Sequence, residues 1–136
     1  MLVVFAFCHC RLLMKHGDEM TEKQFETKVK AYLTKQNCWF LKTWSNGVQR
    51  VGVPDLLVCC NGHFLGIELK ASNGKPSKLQ LYNIEQIRKA GGMAFLLYPD
   101  KFYLLQDLIT DLKIGFKIDW WKKHLWIFDK ERGCET

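Results

Sequence analysis

Two carboxylates and an amine interrupt apolar segments near the middle of the chain. Asp55 follows Pro54, and after twelve more residues Glu68 precedes Lys70 by two positions. Such charges on a half-buried sheet are costly in free energy unless something compensates them. A divalent cation held by the two carboxylates, beside the ammonium, would compensate them, and a bound cation of this kind acidifies a water molecule. The pattern therefore predicts a site for a hard divalent cation that can activate water.

Two short apolar strands are predicted to carry these residues. A turn at Asn61–Gly62 joins them, and this dipeptide is the one most typical of a tight hairpin. The two acids stand at the start of the first strand and near the end of the second. Because strand side chains alternate between faces, Glu68 and Lys70 should project from one face while Ile67 and Leu69 point to the other.

Three segments around this hairpin resemble a known motif. They are Arg50-Val-Gly-Val-Pro-Asp55, Gly66-Ile-Glu-Leu-Lys70 and Gly74-Lys75-Pro-Ser77-Lys-Leu-Gln80. Together they resemble the VRR-NUC branch of the PD-(D/E)XK nuclease superfamily, over roughly residues 21–98. The resemblance implies an α/β fold with a restriction-endonuclease-like core, in which helices flank a mixed β-sheet.

The same resemblance implies an activity and a setting. The expected activity is that of a Mg²⁺-dependent endonuclease that hydrolyses phosphodiester bonds in DNA, with structure-selective cutting of branched or junction DNA. Stand-alone members of this size look viral or phage-like, which implies the cytoplasm of a bacterial or phage-infected host cell. A homodimer is expected by analogy, because the two strands of a junction are naturally cut by two sites.

Phosphodiester hydrolysis and the resemblance together suggest roles for the site residues. Asp55 and Glu68 would hold Mg²⁺, with the backbone carbonyl of Leu69 as a third protein ligand and Mn²⁺ able to substitute. Lys70 would position the attacking water and stabilise the charge of the transition state. Gln80 would orient Lys70 or the phosphate.

Three cations near the motif are candidates for positioning contacts to the DNA backbone: Arg50, Lys75 and Lys78. For Arg50 the alternative is an ordinary solvated loop cation. Gly52, just after it, would let the backbone turn sharply or pass close to a ligand.

Two side chains have alternative uses that the sequence leaves open. Glu22 either supplies a third acid to the metal site, as the first-helix Glu of that family does, or stabilises the first helical turn through the helix dipole. Glu26, one turn further on, is less favoured for the site. Gln80 either joins the site or closes a capping box with Ser77, and these two uses are expected to compete for one side chain.

Hydrophobic periodicity predicts the flanking elements. Capping boxes at Thr21–Gln24 and Ser77–Gln80 each open a helix. The positions expected to face the core are Phe25, Val29, Tyr32 and Leu33 in the first helix and Leu81, Ile84 and Ile87 in the second. Strands are expected within 38–44 and 93–98, and a further helix after Pro99 with Phe102, Leu105, Ile109 and Leu112 buried. Aromatics and cations over 120–126 either stack on bases or close the core.

Length and composition indicate one ordered domain. The 136 residues suit a single domain over 20–136, preceded by an extension over 1–19 whose role stays open between an appendage, a misassigned start and an extra strand. Twenty basic against fourteen acidic residues give a net charge of +6, which favours an anionic partner such as nucleic acid. Nearly half of the residues are apolar, and this excludes wholesale disorder.

The cysteines and the apolar start exclude other classes. Six cysteines show neither zinc-knuckle spacing nor a disulfide framework, which favours reduced thiols in a cytosolic setting. The apolar run Met1–Phe7 is too short to span a membrane and lacks the flanks of a signal peptide, so no membrane partner is expected.

Two other functions remain open at this stage. One is a non-catalytic nucleic-acid-binding module on the same fold. The other is a protein-interaction domain in which the acids and the lysine form surface ion pairs. Exposed pairs contribute only about 0–1 kcal/mol, so they give no reason for acids at these strand positions.

Overall fold

Four strands form one mixed sheet in the computed structural model, which describes residues 19–44 and 50–129. The strands are β1 (Trp39–Lys42), β2 (Leu56–Cys60), β3 (His63–Leu69) and β4 (Met93–Leu97), side by side in that order. The pairs β1–β2 and β2–β3 are antiparallel, whereas β4 runs parallel to β3. The helices are α1 (Glu22–Lys35), α2 (Lys78–Lys89), α3 (Phe102–Ile114), α4 (Ile118–His124) and α5 (Trp126–Asp129). The predicted α/β architecture, a mixed sheet flanked by helices, is confirmed.

The predicted hairpin forms at the predicted turn. Asn61 and Gly62 have φ angles of 48° and 80°, the left-handed pair that a tight two-residue turn requires. The turn brings Cys60 opposite His63 and sets the register of the two strands. The register is also held from outside the hairpin, since the Asn61 side chain donates a hydrogen bond of 2.7 Å to the Leu112 carbonyl.

Helix α1 begins at the predicted capping box. The Thr21 hydroxyl accepts a hydrogen bond from the Gln24 N–H, and the Gln24 side chain accepts one from the Thr21 N–H. Of the predicted stripe, Phe25, Val29 and Leu33 are fully buried and Tyr32 is partly buried. The stripe belongs to the main core, which also contains alternate residues of β2, β3 and β4 and the buried side of α3. The predicted core positions of α3 are all buried: Phe102, Leu105, Ile109 and Leu112.

Helix α2 lies on the opposite face of the sheet. Its Ile84 packs against Ala94 and Leu96, with Ile87 partly buried beside them. The prediction that Leu81 faces the core is wrong, because this side chain is 44% exposed. The second cluster is small, so α2 buries only a narrow stripe.

Side chains from two helices satisfy the outer edge of β4. The Arg88 Nε donates to the Ala94 carbonyl at 2.7 Å, and Asp129 accepts the Leu96 N–H at 2.9 Å. Arg88 and Asp129 also form an ion pair with each other. An edge occupied in this way offers fewer free backbone groups to another chain.

The aromatic tail has one buried and two exposed tryptophans among residues 120–126. Trp121 is buried and donates a hydrogen bond of 2.7 Å to Asp111, so it closes the core. Trp120 and Trp126 are exposed, and Trp120 stacks on His124 with ring centroids 4.3 Å apart. The rings of Trp120 and Trp126 are therefore accessible at the surface.

Several predictions fall on residues outside the described ranges. These are the extension up to residue 18, most of the loop over 45–51, and the cysteines at 8, 10 and 134. The described cysteines are all free, with Cys38 and Cys60 buried and Cys59 exposed. Within the described ranges, none of the helices has the length and apolar character needed to cross a membrane.

The loop before β2 is held tightly against α2 at Gly52. This residue has a φ of 81°, and an added Cβ would lie 2.6 Å from Leu79 Cγ and 2.8 Å from Asn83 Nδ2. The close approach that the sequence predicted for Gly52 is therefore an approach to α2. It places Pro54 and Asp55 at the start of β2.

Gly52→Ala should destabilise the protein more than Gly62→Ala. Both glycines have φ near 80°, but no atom of the described residues lies within 4 Å of a Cβ at Gly62. Gly62→Ala should cost about 1 kcal/mol of left-handed strain, and Gly52→Ala about 1–3 kcal/mol more for overpacking. Urea unfolding of both variants measures the difference, and equal losses would show that the contact with α2 yields freely.

Candidate active site

The strand register brings the two predicted acids to the same place. Leu56 pairs with Ile67, so Asp55, one residue before, lies opposite Glu68, one residue after. The Oδ2 of Asp55 accepts the Leu69 N–H at 2.9 Å, which fixes the carboxylate against β3. Asp55 is thus held at the end of the hairpin by the backbone of the strand that carries Glu68.

Glu68 is the most deeply buried acid of the described chain, at 2% exposure. Its Oε1 lies 3.0 Å from Lys70 Nζ and accepts a hydrogen bond from Gln80 Nε2. Its Oε2 is buried, and no group among the described residues donates a hydrogen bond to it. A buried carboxylate oxygen in this state calls for a proton or a cation.

Burial dominates the electrostatics of Glu68. Burial, and after it the negative charge of Asp55, raises the pKa of Glu68 to about 7, although Lys70 acts in the opposite direction. The carboxyl therefore changes charge near neutral pH, where a cation and a proton would compete for it. This is a common property of catalytic and metal-binding acids.

The residues present fit a hard divalent ion. No group of three or more His, Cys, Asp or Glu side chains able to hold a metal occurs within 19–44 and 50–129. Two carboxylates are nevertheless enough for Mg²⁺, which keeps several waters and binds proteins through one or two such groups. The feature that fits is the Oε2 of Glu68, which has no partner among residues 19–44 and 50–129 and belongs to the acid opposite Asp55. The Leu69 carbonyl as a third ligand stays a prediction.

Lys70 lies where the alternation of β3 predicted it, on the side of Glu68. It is 8% exposed, and its N–H donates to the Leu97 carbonyl at 3.0 Å, which continues the pairing with β4 beyond the strand end. Its ammonium is therefore buried and placed by the sheet. Its catalytic role stays a prediction.

The Gln80 side chain closes the cap of α2 and contacts the candidate site at the same time. Its Oε1 accepts the Ser77 N–H at 2.8 Å and closes the cap of α2, while its Nε2 donates to Glu68. The expectation that these uses compete is wrong, because a primary amide has an acceptor at one end and donors at the other. The cap of α2 thereby orients the buried acid.

The two acids of the first helix relate to the site differently, and the sequence did not predict the difference. Glu22 is exposed, and its charge acts on Glu68 without a direct bond. Glu26, the less favoured candidate, lies 3.0 Å from Lys42 Nζ, and that ammonium lies 3.2 Å from Asp55 Oδ1. Glu26 therefore connects α1 to the site through a lysine.

Lys42 is the site residue that sequence reasoning missed. It ends β1, thirteen residues before Asp55, and only the pairing of β1 with β2 brings it to that acid. Burial acts to lower the pKa of Lys42, but the bonds to Glu26 and Asp55 outweigh it and leave that pKa above its ordinary value. The available signal was a lysine that shares a face of its strand with Phe40, since both side chains of β1 are partly buried.

The predicted DNA-contacting cations lie on the surface near this end of the sheet. Arg50 precedes the loop to Asp55, Lys75 lies in the loop after β3, and Lys78 begins α2. All three are exposed, and none takes part in the ion pairs found among the described residues. Their charges are thus available to an anionic ligand.

Stability of the metal-free protein should fall between pH 4.5 and about 7 because of Glu68. The folded state raises the pKa of Glu68 from 4.5 to about 7, so folding favours its protonated form. The stabilisation is complete below the unfolded value and is lost as pH rises through the folded one. In EDTA, the free energy of unfolding of the wild type should therefore decline over this range relative to Glu68→Gln.

The exposed Glu85 offers a matched control for this titration. Its side chain is 65% exposed, so Glu85→Gln should leave the pH dependence of the wild type intact. Parallel curves for the wild type and Glu68→Gln would show that Glu68 titrates as an ordinary carboxyl. Thermal unfolding across the pH series supplies the measurement.

Comparison with known proteins reveals the fold. No protein-family model and no curated protein sequence matches the chain. A solved structure described as a VRR_NUC domain matches 77% of this chain and 97% of its own, with a TM-score of 0.52 and 24% sequence identity. The Holliday junction resolvase Hjc of Archaeoglobus fulgidus aligns over 55% of this chain and 64% of its own, with a TM-score of 0.45 and 20% identity. The chain has the fold of a VRR_NUC domain, as its motif predicted.

Proposed function

We propose that the protein is a metal-dependent endonuclease that hydrolyses phosphodiester bonds in DNA. The observation that carries the proposal is the buried Glu68 carboxylate, whose Oε2 has no partner among the described residues. Asp55 lies opposite it and Lys70 beside it. Two acids and an amine at one point of a sheet suit a hydrolytic metal site, and the VRR_NUC fold is consistent with this activity.

Each residue of the site supports a separate requirement of the reaction. A Mg²⁺ ion held by Asp55 and Glu68 would polarise the phosphate and lower the pKa of an attacking water, with Mn²⁺ able to substitute. Lys70 would stabilise the negative charge that develops on the phosphate, because its ammonium is preplaced 3.0 Å from Glu68. Gln80 holds Glu68 in position, and the Leu69 N–H does the same for Asp55.

The proposed substrate, DNA, is supported by the charge of the protein and by the resemblance of its motif. A net charge of +6 and three exposed cations near the site favour a nucleic-acid backbone. Selectivity for branched or junction DNA, action as a homodimer, and a cytoplasmic setting in a bacterial or phage-infected cell all belong to the proposal through the resemblance of the motif to the VRR-NUC branch.

Removal of any one of the three central groups should abolish cleavage. Asp55→Asn, Glu68→Gln and Lys70→Met preserve side-chain shape, and each should lower kcat by at least about 100-fold. Cleavage in Mg²⁺ is measured on duplex, single-stranded, flap and four-way DNA. The exposed pair Glu85 and Lys89 provides controls, since Glu85→Gln and Lys89→Met should cut like the wild type.

The outcome separates an enzyme from a binding module. Wild-type turnover in any of the three central variants would contradict the role assigned to that residue. Salt-sensitive DNA binding without Mg²⁺-dependent cleavage on any substrate would identify the non-catalytic module instead. Circular dichroism of each variant shows that a lost activity is not a lost fold.

The surface cations should affect binding and not chemistry. Arg50→Gln, Lys75→Gln and Lys78→Gln should each lower the slope of log K against log salt by about 1, because each removes one phosphate contact. Lys89→Gln, a change of equal charge at the far end of α2, should leave the slope unchanged. DNA affinity measured over a salt series in EDTA gives the slopes, and unchanged slopes in all three variants would place the DNA elsewhere.

A further inference from the structure

The Lys42 ammonium lies between two acids that belong to different elements. It is 3.2 Å from Asp55 Oδ1 and 3.0 Å from Glu26 Oε2. The three side chains are each about one-fifth exposed, at 21%, 23% and 22%. The backbone of Lys42 is fixed by its pairing with Leu56. The ammonium can therefore leave one carboxylate only through a movement of the long side chain.

Lys42 contacts the oxygen of Asp55 that does not bind the β3 backbone, which is the oxygen more open to a metal ion. The Oδ2 of Asp55 accepts the Leu69 N–H, and its Oδ1 contacts Lys42. A divalent ion at Asp55 would repel an ammonium at this distance, because both are positive. Glu26 offers the ammonium a second carboxylate, and Glu26 also pairs with Lys30 at 3.2 Å.

We propose that Lys42 is the internal counter-cation of the metal-free site, and that its pairing, shared between Asp55 and Glu26, is transferred wholly to Glu26 when the divalent ion binds. This rests on the proposed function, because it takes Asp55 as a metal ligand. In the metal-free protein the ammonium spares Asp55 the cost of an uncompensated, partly buried charge. It also competes with the ion, and so it lowers the affinity of the site for the metal.

The sign of this effect separates competition from support. A lysine that merely holds Asp55 in a binding orientation would strengthen metal binding, and its loss would weaken it. A lysine that competes with the ion weakens metal binding, and its loss strengthens that binding. Loss of a unit positive charge about 6 Å from a divalent ion in a water-like dielectric should tighten binding by about tenfold.

Calorimetric titration of the full chain with Mn²⁺ alone measures this sign without any DNA or cleavage. Lys42→Met should bind Mn²⁺ about tenfold more tightly than the wild type, and Lys42→Arg should bind like the wild type. Lys30→Met is the matched control, since it removes the same charge from the same cluster without contact to Asp55. Its affinity should stay close to that of the wild type.

A double-mutant cycle tests the transfer to Glu26. Glu26→Gln should weaken Mn²⁺ binding, because Lys42 then has only Asp55 to pair with. This weakening should largely vanish in the Lys42→Met background if Glu26 acts through Lys42. The same weakening in both backgrounds would overturn the transfer, since Glu26 would then act directly on the ion.

Other outcomes distinguish the failure of this inference from that of the proposed function. If the wild type binds Mn²⁺ and Asp55→Asn abolishes binding, while Lys42→Met binds no more tightly than Lys30→Met, the role of Lys42 is overturned alone. If the folded wild type binds no Mn²⁺, the metal site of the proposed function fails and this inference fails with it. Thermal unfolding in EDTA confirms that each variant is folded.

Discussion

The burial of one carboxylate is the constraint on which the rest of the site depends. Glu68 lies on a central strand at 2% exposure, where an ionised group loses most of its hydration. An ammonium and an amide satisfy one oxygen, and the other has no partner among the described residues. A protein that needed only stability would gain from an apolar side chain there. An ionised carboxylate at this position therefore lowers the stability of the fold near neutral pH.

Two series of polar contacts reach the end of the sheet that carries Glu68, one from each face of the sheet. From the α1 side, Glu26 contacts Lys42 and Lys42 contacts Asp55. From the α2 side, Gln80 joins the helix cap to Glu68. The backbone pairing of β2 with β3 brings the two series of contacts together, since Asp55 also accepts the Leu69 N–H. Each acid thus has its own cation and its own positioning donor, so neither depends on a single flexible side chain.

The errors of the sequence predictions have identifiable physical causes. The two uses of Gln80 were expected to compete because each was assigned the whole side chain. Its two ends act separately, since Oε1 closes the cap and Nε2 donates to Glu68. Leu81 fits the helical period of a buried stripe, but α2 covers only a small cluster and leaves this side chain exposed. No local pattern predicted the contact between Glu26 and Lys42, because one residue lies on helix α1 and the other on strand β1.

The amino-acid sequence alone determined the local features: the Asn61–Gly62 hairpin, the two capping boxes, and the spacing that puts Glu68 beside Lys70. These depend on residues close together in the chain, whose turn and capping preferences and strand periodicity can be read directly. Only the tertiary structure decided that Lys42 meets Asp55 and that one buried oxygen of Glu68 has no partner within the described part of the chain. Those facts depend on strand order, register and the seating of helices on the sheet. These are set by the packing of the whole core, which no local pattern encodes.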